Sequence, residues 1–405
     1  MAMSATSAAP GPHIFLVAGE ESGDRLGAPL IAALRRLCQD RVHFSGVGGA
    51  QMAAQGVPSL FPLGDLAIIG IGAIIARLPA ILRRIRETAD AVIAAKPDVL
   101  VIIDSPEFTH RVARRVRKRA PWIPIVDYVC PSVWAWRPGR AKAMRSYVDH
   151  VLTLLPFEPA ELQRLGGPPG TYVGHPLIEQ IADLRPRAGE AARRLADPPV
   201  LLVLPGSRSG EIRRLAALFG TTVGAVARRY GALDVVVPAV PRLAETVKAA
   251  VADWPVKARV VVDPEDKHAA YRAARAALAK SGTSTLELAL AGIPMVAAYK
   301  VSALEEVIGR TLIKIKTVIL GNLVLGEMVI PEFLQRACTA ENLAGALEPL
   351  LHDSAERRRQ LEAFSRLDVV MGIGQRAPSD AAAVVILKCA KVLNQPAREG
   401  MASGP

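Results

Sequence analysis

The sequence predicts an α/β protein of two lobes, each built on a parallel sheet. Three observations carry this reading. The chain has 405 residues, more than one ordinary core accommodates and enough for two lobes that each bury an apolar interior. Unbroken apolar runs such as Val99–Ile103 and Val200–Leu204 end in Gly/Ser/Asp turns and lead into helical periodicity, the pattern of strands buried on both faces. That alternation occurs in two series, separated by a Pro/Arg/Gly-rich stretch.

The first series opens with a strand over Ile14–Ala18, a Gly/Ser/Asp turn, a helix over Leu26–Leu37 and a strand over Val42–Val47, a βαβ unit. It continues with a helix over Ile81–Ala95, the strand Val99–Ile103, a basic helix over Arg111–Arg119 and a strand over Ile123–Val129. Residues between Asp183 and Pro199 read as the linker, near 180–199. The second series has a strand over Val200–Leu204, a helix from Glu211, and strands over Asp234–Val237, Val260–Val262 and Ala276–Ala279. After Thr339 the pattern is helical to the end apart from a break at Gly372–Ser379. The division expected is a Rossmann-like domain over 1–182, a second over 183–365, and a returning helix with an unstructured end over 366–405. The return of that helix rests on analogy with other two-lobed folds, not on a residue pattern.

Lys and Arg total 50 against 38 Asp and Glu, a formal net charge of +12 that favours phosphates, nucleic acid or an anionic membrane surface. No basic stretch is interleaved with stacking aromatics, so nucleic acid is set aside. Cys38, Cys130, Cys338 and Cys389 lie far apart and form no CxxC or Cys/His cluster. Neither a metal site nor a disulfide framework is therefore expected, and a reduced compartment fits; no cofactor is expected either. The amino terminus lacks the charged start and apolar stretch of a signal peptide, and no run of about 18 apolar residues exists for a spanning helix. The expectation is a cytoplasmic protein.

Five segments can carry chemistry. The turn Ala18-Gly19-Glu20-Glu21-Ser22-Gly23-Asp24 opens a helix, where free N–H groups and the helix dipole favour an anionic or polar ligand; Ser22 or Asp24 can equally be an N-cap. Asp104 ends the strand Val99–Ile103 at the carboxyl edge of the sheet, where open α/β folds bind ligands. A carboxylate there can accept a hydroxyl proton, or can cap the loop before Pro106. Leu204-Pro205-Gly206-Ser207-Arg208 supplies a forked donor suited to a diphosphate, and Lys280-Ser281-Gly282-Thr283 repeats the geometry with small residues. Ser284-x-x-Glu287 also reads as a capping box. Finally, Leu66–Ala76 is apolar and runs into Arg77, Arg83, Arg84 and Arg86: too short to span a bilayer, it suits either a membrane interface or a buried core helix. His175, Trp134 and Trp136 stand at strand ends with no definite role.

The strings Val17-Ala18-Gly19-Glu20, Ser22-Gly23-Asp24, Pro131-Ser132-Val133-Trp134-Ala135-Trp136, Gly174-His175-Pro176, Leu204-Pro205-Gly206-Ser207-Arg208, Ser281-Gly282-Thr283 and Ile330-Pro331-Glu332 occur in the order found in lipid-A-disaccharide synthases. The chain resembles that family over nearly its whole length. The resemblance implies a GT-B fold and an inverting, metal-independent glycosyltransferase. Such an enzyme joins UDP-2,3-diacylglucosamine to 2,3-diacylglucosamine 1-phosphate through a β-1,6 bond and releases UDP. It makes Asp104 the candidate base and the turn with Glu20, Ser22, Gly23 and Asp24 a substrate-binding turn. Arg208, Ser281, Gly282 and Thr283 would hold the diphosphate and Glu287 the ribose hydroxyls, with Asn322, Glu332 and Gln335 near the nucleotide. It assigns Ile68, Ile69, Ile71, Ile74, Ile75 and Leu78 to the acyl chains and to the anionic inner face of a Gram-negative inner membrane. The family exchanges a C-terminal helix between subunits, which allows a homodimer. One departure stands out: Leu320-Gly321-Asn322 has Gly where the family usually has Pro.

Overall fold

Twelve strands are described, and each runs parallel to its neighbours, as the unbroken apolar runs require. The computed structural model describes residues 11–66, 71–301 and 317–391, with the backbone alone for 71–77. Ile68 and Ile69 therefore lie outside the described residues, as do the side chains of Ile71, Ile74 and Ile75 and the chain beyond residue 391. The chain divides into two compact units: one runs to Pro176 and resumes at Arg376, the other spans Leu177–Gln375.

In the first unit the strands are β1 (His13–Ala18), β2 (His43–Val47), β3 (Val99–Ile103), β4 (Ile125–Tyr128), β5 (His150–Thr153) and β6 (Gly170–Tyr172), in the sheet order β2-β1-β3-β4-β5-β6. The sheet grows one way from β1 and the other way from β3, so a crevice opens beyond the carboxyl ends of these two neighbours. Alternation along β3 divides its side chains between two cores. Leu100 and Ile102 pack with Ile85, Val112 and Val116, while Val99, Val101 and Ile103 pack with Leu30, Ile31 and Leu34. Each such side chain contributes roughly 1.5–3 kcal/mol by leaving water. The helices that bear on the site here are α1 (Glu21–Leu37), α2 (Ile71–Ala95) and α3 (Pro106–Arg119).

In the second unit the strands are β7 (Val200–Leu204), β8 (Asp234–Pro238), β9 (Ala258–Val261), β10 (Ala274–Lys280), β11 (Met295–Tyr299) and β12 (Glu332–Leu334), in the order β12-β11-β10-β7-β8-β9. Here the growth direction reverses between β7 and β10, which sets a second crevice at their carboxyl ends. Its relevant helices are α4 (Ser209–Tyr230), α5 (Pro264–Ala273) and α6 (Thr283–Leu290). The Pro/Arg/Gly-rich stretch before β7 is tied to this unit: Arg194 donates to the carbonyls of Tyr271, Arg272, Ala291 and Gly292, and Arg185 pairs with Asp368.

The C-terminal helix α7 (Pro378–Cys389) returns to the first unit, where Ala382, Ala383, Ile386 and Leu387 join the core beside α1 and Asp380 pairs with Arg36. Strands β5, β6, β11 and β12 do not stand out in the sequence pattern, because three to five residues, several of them polar or alanine, form no distinctive apolar run. Helix α2 begins at Ile71, ahead of the expected Ile81, and passes through Pro79, a residue that weakens the helical signal in the sequence. Among the described residues no helix is long and apolar enough to cross a membrane.

Candidate active site

The first crevice is built where Ala18 of β1 lies opposite Ile103 of β3. Helix α1 starts so close to this pair that a Cβ on Gly23 would come within 3.0 Å of the Ile103 carbonyl, and one on Gly19 would meet Ser105 Oγ at 2.6 Å. Glycine at these positions lets the turn fold down onto β3. Across that contact Ser22 Oγ donates to Asp104 Oδ2 at 2.7 Å, and Ser105 Oγ donates to Glu20 Oε1 at 3.3 Å. Glu20, Ser22 and Asp104 are thus brought together.

Asp104 and Ser105 both take left-handed backbone angles, φ 52° and 46°, which cost a non-glycine residue energy and persist only where neighbours enforce them. The enforcing bonds are Asp104 N–H to the Tyr128 carbonyl and Thr109 Oγ1 to the Asp104 carbonyl, at 3.0 and 2.6 Å. The result is a half-buried carboxylate aimed off the sheet edge and oriented by Ser22, with lone pairs left to accept a proton. Ser105 is the N-cap of α3 and no side chain caps it, so Asp104 is not spent on capping.

Asp24, expected in a substrate-binding turn, is bonded within the protein. It is buried and accepts the N–H groups of Gly49, Gln51 and Met52 at 2.7, 2.9 and 3.0 Å, capping the short helix Ala50–Ala54. Its carboxylate shapes the turn, with both oxygens taken up by these backbone donors. Nor does it cap its own helix, since α1 carries no side-chain cap.

The second crevice is a cleft of about 290 Å³ lined by the turns after β7 and β10 together with α5 and α6. Gly206 adopts φ 132°, a conformation suited to glycine, and a Cβ there would lie 2.6 Å from Glu211. Glu211 accepts the Ser207 N–H and pairs with Lys280 Nζ, both at 3.0 Å. Burial pushes the Glu211 carboxyl up, and the Lys280 ammonium, the Ser207 N–H and Arg208 together pull it below its ordinary value. Arg208 is the N-cap of α4, with a side chain 80% exposed to the cleft mouth. Gly282 is the uncapped start of α6, so the free N–H groups of that first turn and the positive end of its dipole are available to an anion. Gly282 and Thr283 line the cleft, while Ser281 lies beneath it, buried, with its N–H on the Ala298 carbonyl.

The capping-box alternative for Ser284 and Glu287 does not hold. With Gly282 as N-cap, Ser284 falls at the second helical position, and Glu287 turns away from its own helix start. Its oxygens take Lys267 Nζ at 2.7 Å and the Tyr271 hydroxyl at 2.9 Å. Lys267 and Tyr271 sit one turn apart on α5, a pair that motif reasoning misses; their i, i+4 spacing on one helix face is the signal that could have revealed them. Lys280, which the motifs also leave without a role, immediately precedes Ser281.

Asn322, Glu332 and Gln335 are placed as braces. Buried Asn322 accepts the N–H groups of Val329 and Ile330 and donates to the Ile330 carbonyl, closing the loop before β12. Glu332 Oε2 accepts from Thr317 Oγ1 at 2.9 Å; burial raises its carboxyl above the ordinary value, and its Oε1 has no partner among the described residues. Gln335, at φ 48°, holds the Val301 N–H at 2.8 Å. Gly321 is the second residue of the helix Leu320–Leu325 and approaches Ile330; a Cβ there would lie 3.0 Å from Ile330 Cδ1.

Trp134 donates to buried Glu158 at 3.1 Å and stacks edge-on against Phe157. Trp136 is partly exposed, with the Arg137 guanidinium 4.4 Å from its ring centre. Burial pushes His175 down to about 4, leaving a neutral imidazole beside Gly174, whose φ of 94° lets it sit against Pro378 of α7. Among the described residues no group of three His, Cys, Asp or Glu could hold a metal ion.

Comparison with known proteins accounts for this pair of crevices. A family model described as lipid-A-disaccharide synthetase matches residues 14–383. The chain is 62% identical over 383 residues to a lipid-A-disaccharide synthase of Nitrobacter hamburgensis, covering 95% of this chain and 97% of that one. It is 45% identical to the one of Rhodospirillum centenum, covering 92% and 94%. Among solved structures, a UDP co-structure of S. aureus MnaA covers 96% of this chain and all of its own with a TM-score of 0.64 at 13% identity. Acinetobacter baumannii MurG covers 93% and 99% with a TM-score of 0.56 at 17% identity. These likenesses establish the GT-B arrangement of two parallel six-stranded sheets. With the family model spanning most of the chain and relatives this similar over nearly their whole length, the chain belongs to the lipid-A-disaccharide synthase family of glycosyltransferases.

Proposed function

We propose that the protein condenses UDP-2,3-diacylglucosamine with 2,3-diacylglucosamine 1-phosphate, with inversion, to form a β-1,6-linked disaccharide 1-phosphate and UDP. The observation that carries this is the carboxylate of Asp104, held by a strained turn at the sheet edge and bonded to Ser22. In the reading, Asp104 takes the proton of the acceptor's hydroxyl as its oxygen bonds to the anomeric carbon and the bond to UDP breaks. One base and a single displacement invert the anomeric centre. The departing diphosphate is neutralised by Arg208, Lys280 and the first-turn N–H groups of α6, which act where charge develops. Glu287 accepts the ribose hydroxyls. Both substrates are lipids, and the start of α2 meets them at the membrane surface, where Leu78 and Leu82 are exposed beside exposed Arg83 and Arg86.

The test is release of UDP by the purified protein in detergent micelles, with the diacylated UDP-sugar as donor and with or without the acceptor. Acceptor-dependent release that falls at least about a hundredfold in the Asp104→Asn variant is expected. Conversion of a plain UDP-sugar without any acceptor would instead indicate an epimerase on the same fold. Retained activity in the variant would remove the role of Asp104.

A further inference from the structure

Three guanidiniums converge on a single exposed carboxylate, Glu107, three residues along the chain from the candidate base. Arg140 Nη2 donates to Glu107 Oε1 at 2.6 Å, Arg111 Nη2 stands 3.6 Å from Oε2, and Arg137 Nη1 is 4.0 Å from Oε1. Arg140 is mostly buried, yet Glu107 is 65% exposed, so the cluster opens to solvent with two positive charges more than its one carboxylate offsets. A structural ion pair needs one arginine; three around one glutamate leave donors free. Their influence also lowers the Glu107 carboxyl from its ordinary value, Arg140 foremost.

The loop that supplies two of the arginines is shaped for more than holding Glu107. Arg137 has a left-handed backbone, φ 51°, a strain that neighbours must enforce. That conformation goes with a guanidinium lying 4.4 Å from the centre of the Trp136 ring, with Arg140 5.9 Å from it. Trp136 remains 37% exposed, giving an apolar plate with a cationic rim. Glu107 stands three residues after Asp104, so chain geometry limits their Cα separation to roughly 11 Å. A hexosamine whose hydroxyl at carbon 6 meets Asp104 carries its anomeric substituent to the opposite end of the ring, on that length scale.

We propose that Arg137 and Arg140, with Arg111 and the Trp136 ring, form a phosphomonoester subsite that holds the anomeric phosphate of the acceptor sugar. A phosphomonoester carries about −1.5 to −2 charge at neutral pH, which matches the excess of the cluster, and its oxygens suit forked guanidinium donors. The proposal rests on the acceptor assigned above and adds its phosphate recognition. It also joins the Pro131–Trp136 string to Glu107 in one role, since Glu107 keeps the guanidiniums oriented while the subsite is empty.

The experiment compares the diacylated sugar 1-phosphate with its dephosphorylated analogue as acceptors in neutral detergent micelles, for the wild type, Arg137→Ala, Arg140→Ala and Arg140→Lys. The wild type should favour the phosphorylated acceptor, and each alanine variant should cut that preference in kcat/KM about tenfold or more, with the donor KM unmoved. Lysine at 140 should restore part of the loss, because it keeps the charge without the fork. Equal losses with both acceptors would make the cluster a structural brace, and a defect seen only when anionic lipid is added would assign it to lipid headgroups; either result overturns the proposal. A parallel titration with glucosamine 1-phosphate, followed by tryptophan fluorescence, needs no turnover. Weaker binding by the Arg137→Ala/Arg140→Ala double variant is expected, and equal binding overturns the subsite. Wild-type binding of that sugar phosphate without acceptor-dependent UDP release would instead count against the transferase reading alone.

Discussion

Replacing Glu287 by Gln separates a ligand-binding role from a bracing one, because the structure predicts different costs for each. The Glu287 side chain is 13% exposed and already accepts from Lys267 Nζ and the Tyr271 hydroxyl. A carboxylate has about four lone-pair sites, so two remain for ribose hydroxyls. Glutamine keeps one acceptor oxygen for buried Tyr271 and loses the charge; Lys267, 35% exposed, can turn to water. The fold should therefore lose only about 1 kcal/mol, in the range of a partly exposed ion pair. Hydrogen bonds to a charged group are worth about 1.5–3 kcal/mol, so UDP should bind about 2 kcal/mol more weakly, roughly thirtyfold in Kd. The assay is calorimetric titration of UDP and of 2′-deoxy-UDP into both proteins, beside their thermal unfolding. Wild type should discriminate against the deoxy ligand and the variant should do so much less. Undiminished UDP affinity and discrimination in a variant with a lowered Tm would refute the reasoning and leave Glu287 as a brace for α5.

Three further outcomes are expected. Asp24→Ala orphans the N–H groups of Gly49, Gln51 and Met52 and should destabilise the protein by about 2 kcal/mol in denaturant unfolding; a change below about 0.5 kcal/mol would mean the turn simply rehydrates. Burial raises the Glu158 carboxyl from 4.5 to about 7, partly opposed by the Leu155 N–H, Trp134 and the Leu154 N–H. The folded state then holds the proton more tightly than the unfolded one, so this contribution to stability is full below about pH 4.5 and lost by about pH 7, roughly 3 kcal/mol in all. Unfolding at pH 5 and 7.5 should show that loss in the wild type and a flatter response in Glu158→Gln; matching slopes would sink the assignment. Serine at exposed Leu78 and Leu82 should weaken co-sedimentation with anionic vesicles while leaving the Tm in place, and an unchanged sedimentation profile would count against docking through α2.

Much of the architecture is legible because parallel sheets leave a simple trace. Strands covered on both faces must be apolar throughout, so Val99–Ile103 and Val200–Leu204 announce themselves, and the turns after them mark where ligands can enter. Edge strands have no such constraint: Gly170–Tyr172 and Glu332–Leu334 are strands because a neighbour offers a free edge, not because three residues demand it. The turn residues are legible as a group but not by duty. Gly23 and Gly206 are glycines for reasons of space and backbone angle that emerge only when Ile103 and Glu211 are brought against them.

Two series of parallel strands and Asp104 at the end of a buried strand follow from the order of residues alone, because burial of apolar runs is a local property of composition, whereas the crevices depend on the strand order that folding sets. What each carboxylate does depends on the folded chain. Asp24, Asp104 and Glu287 are all acidic residues at or near a strand-to-helix turn, yet one caps the helix Ala50–Ala54, one is left half-buried with Ser22, and one is gripped by Lys267 and Tyr271. A charge takes its role from the donors that folding places around it, and those donors come from elements distant in the chain.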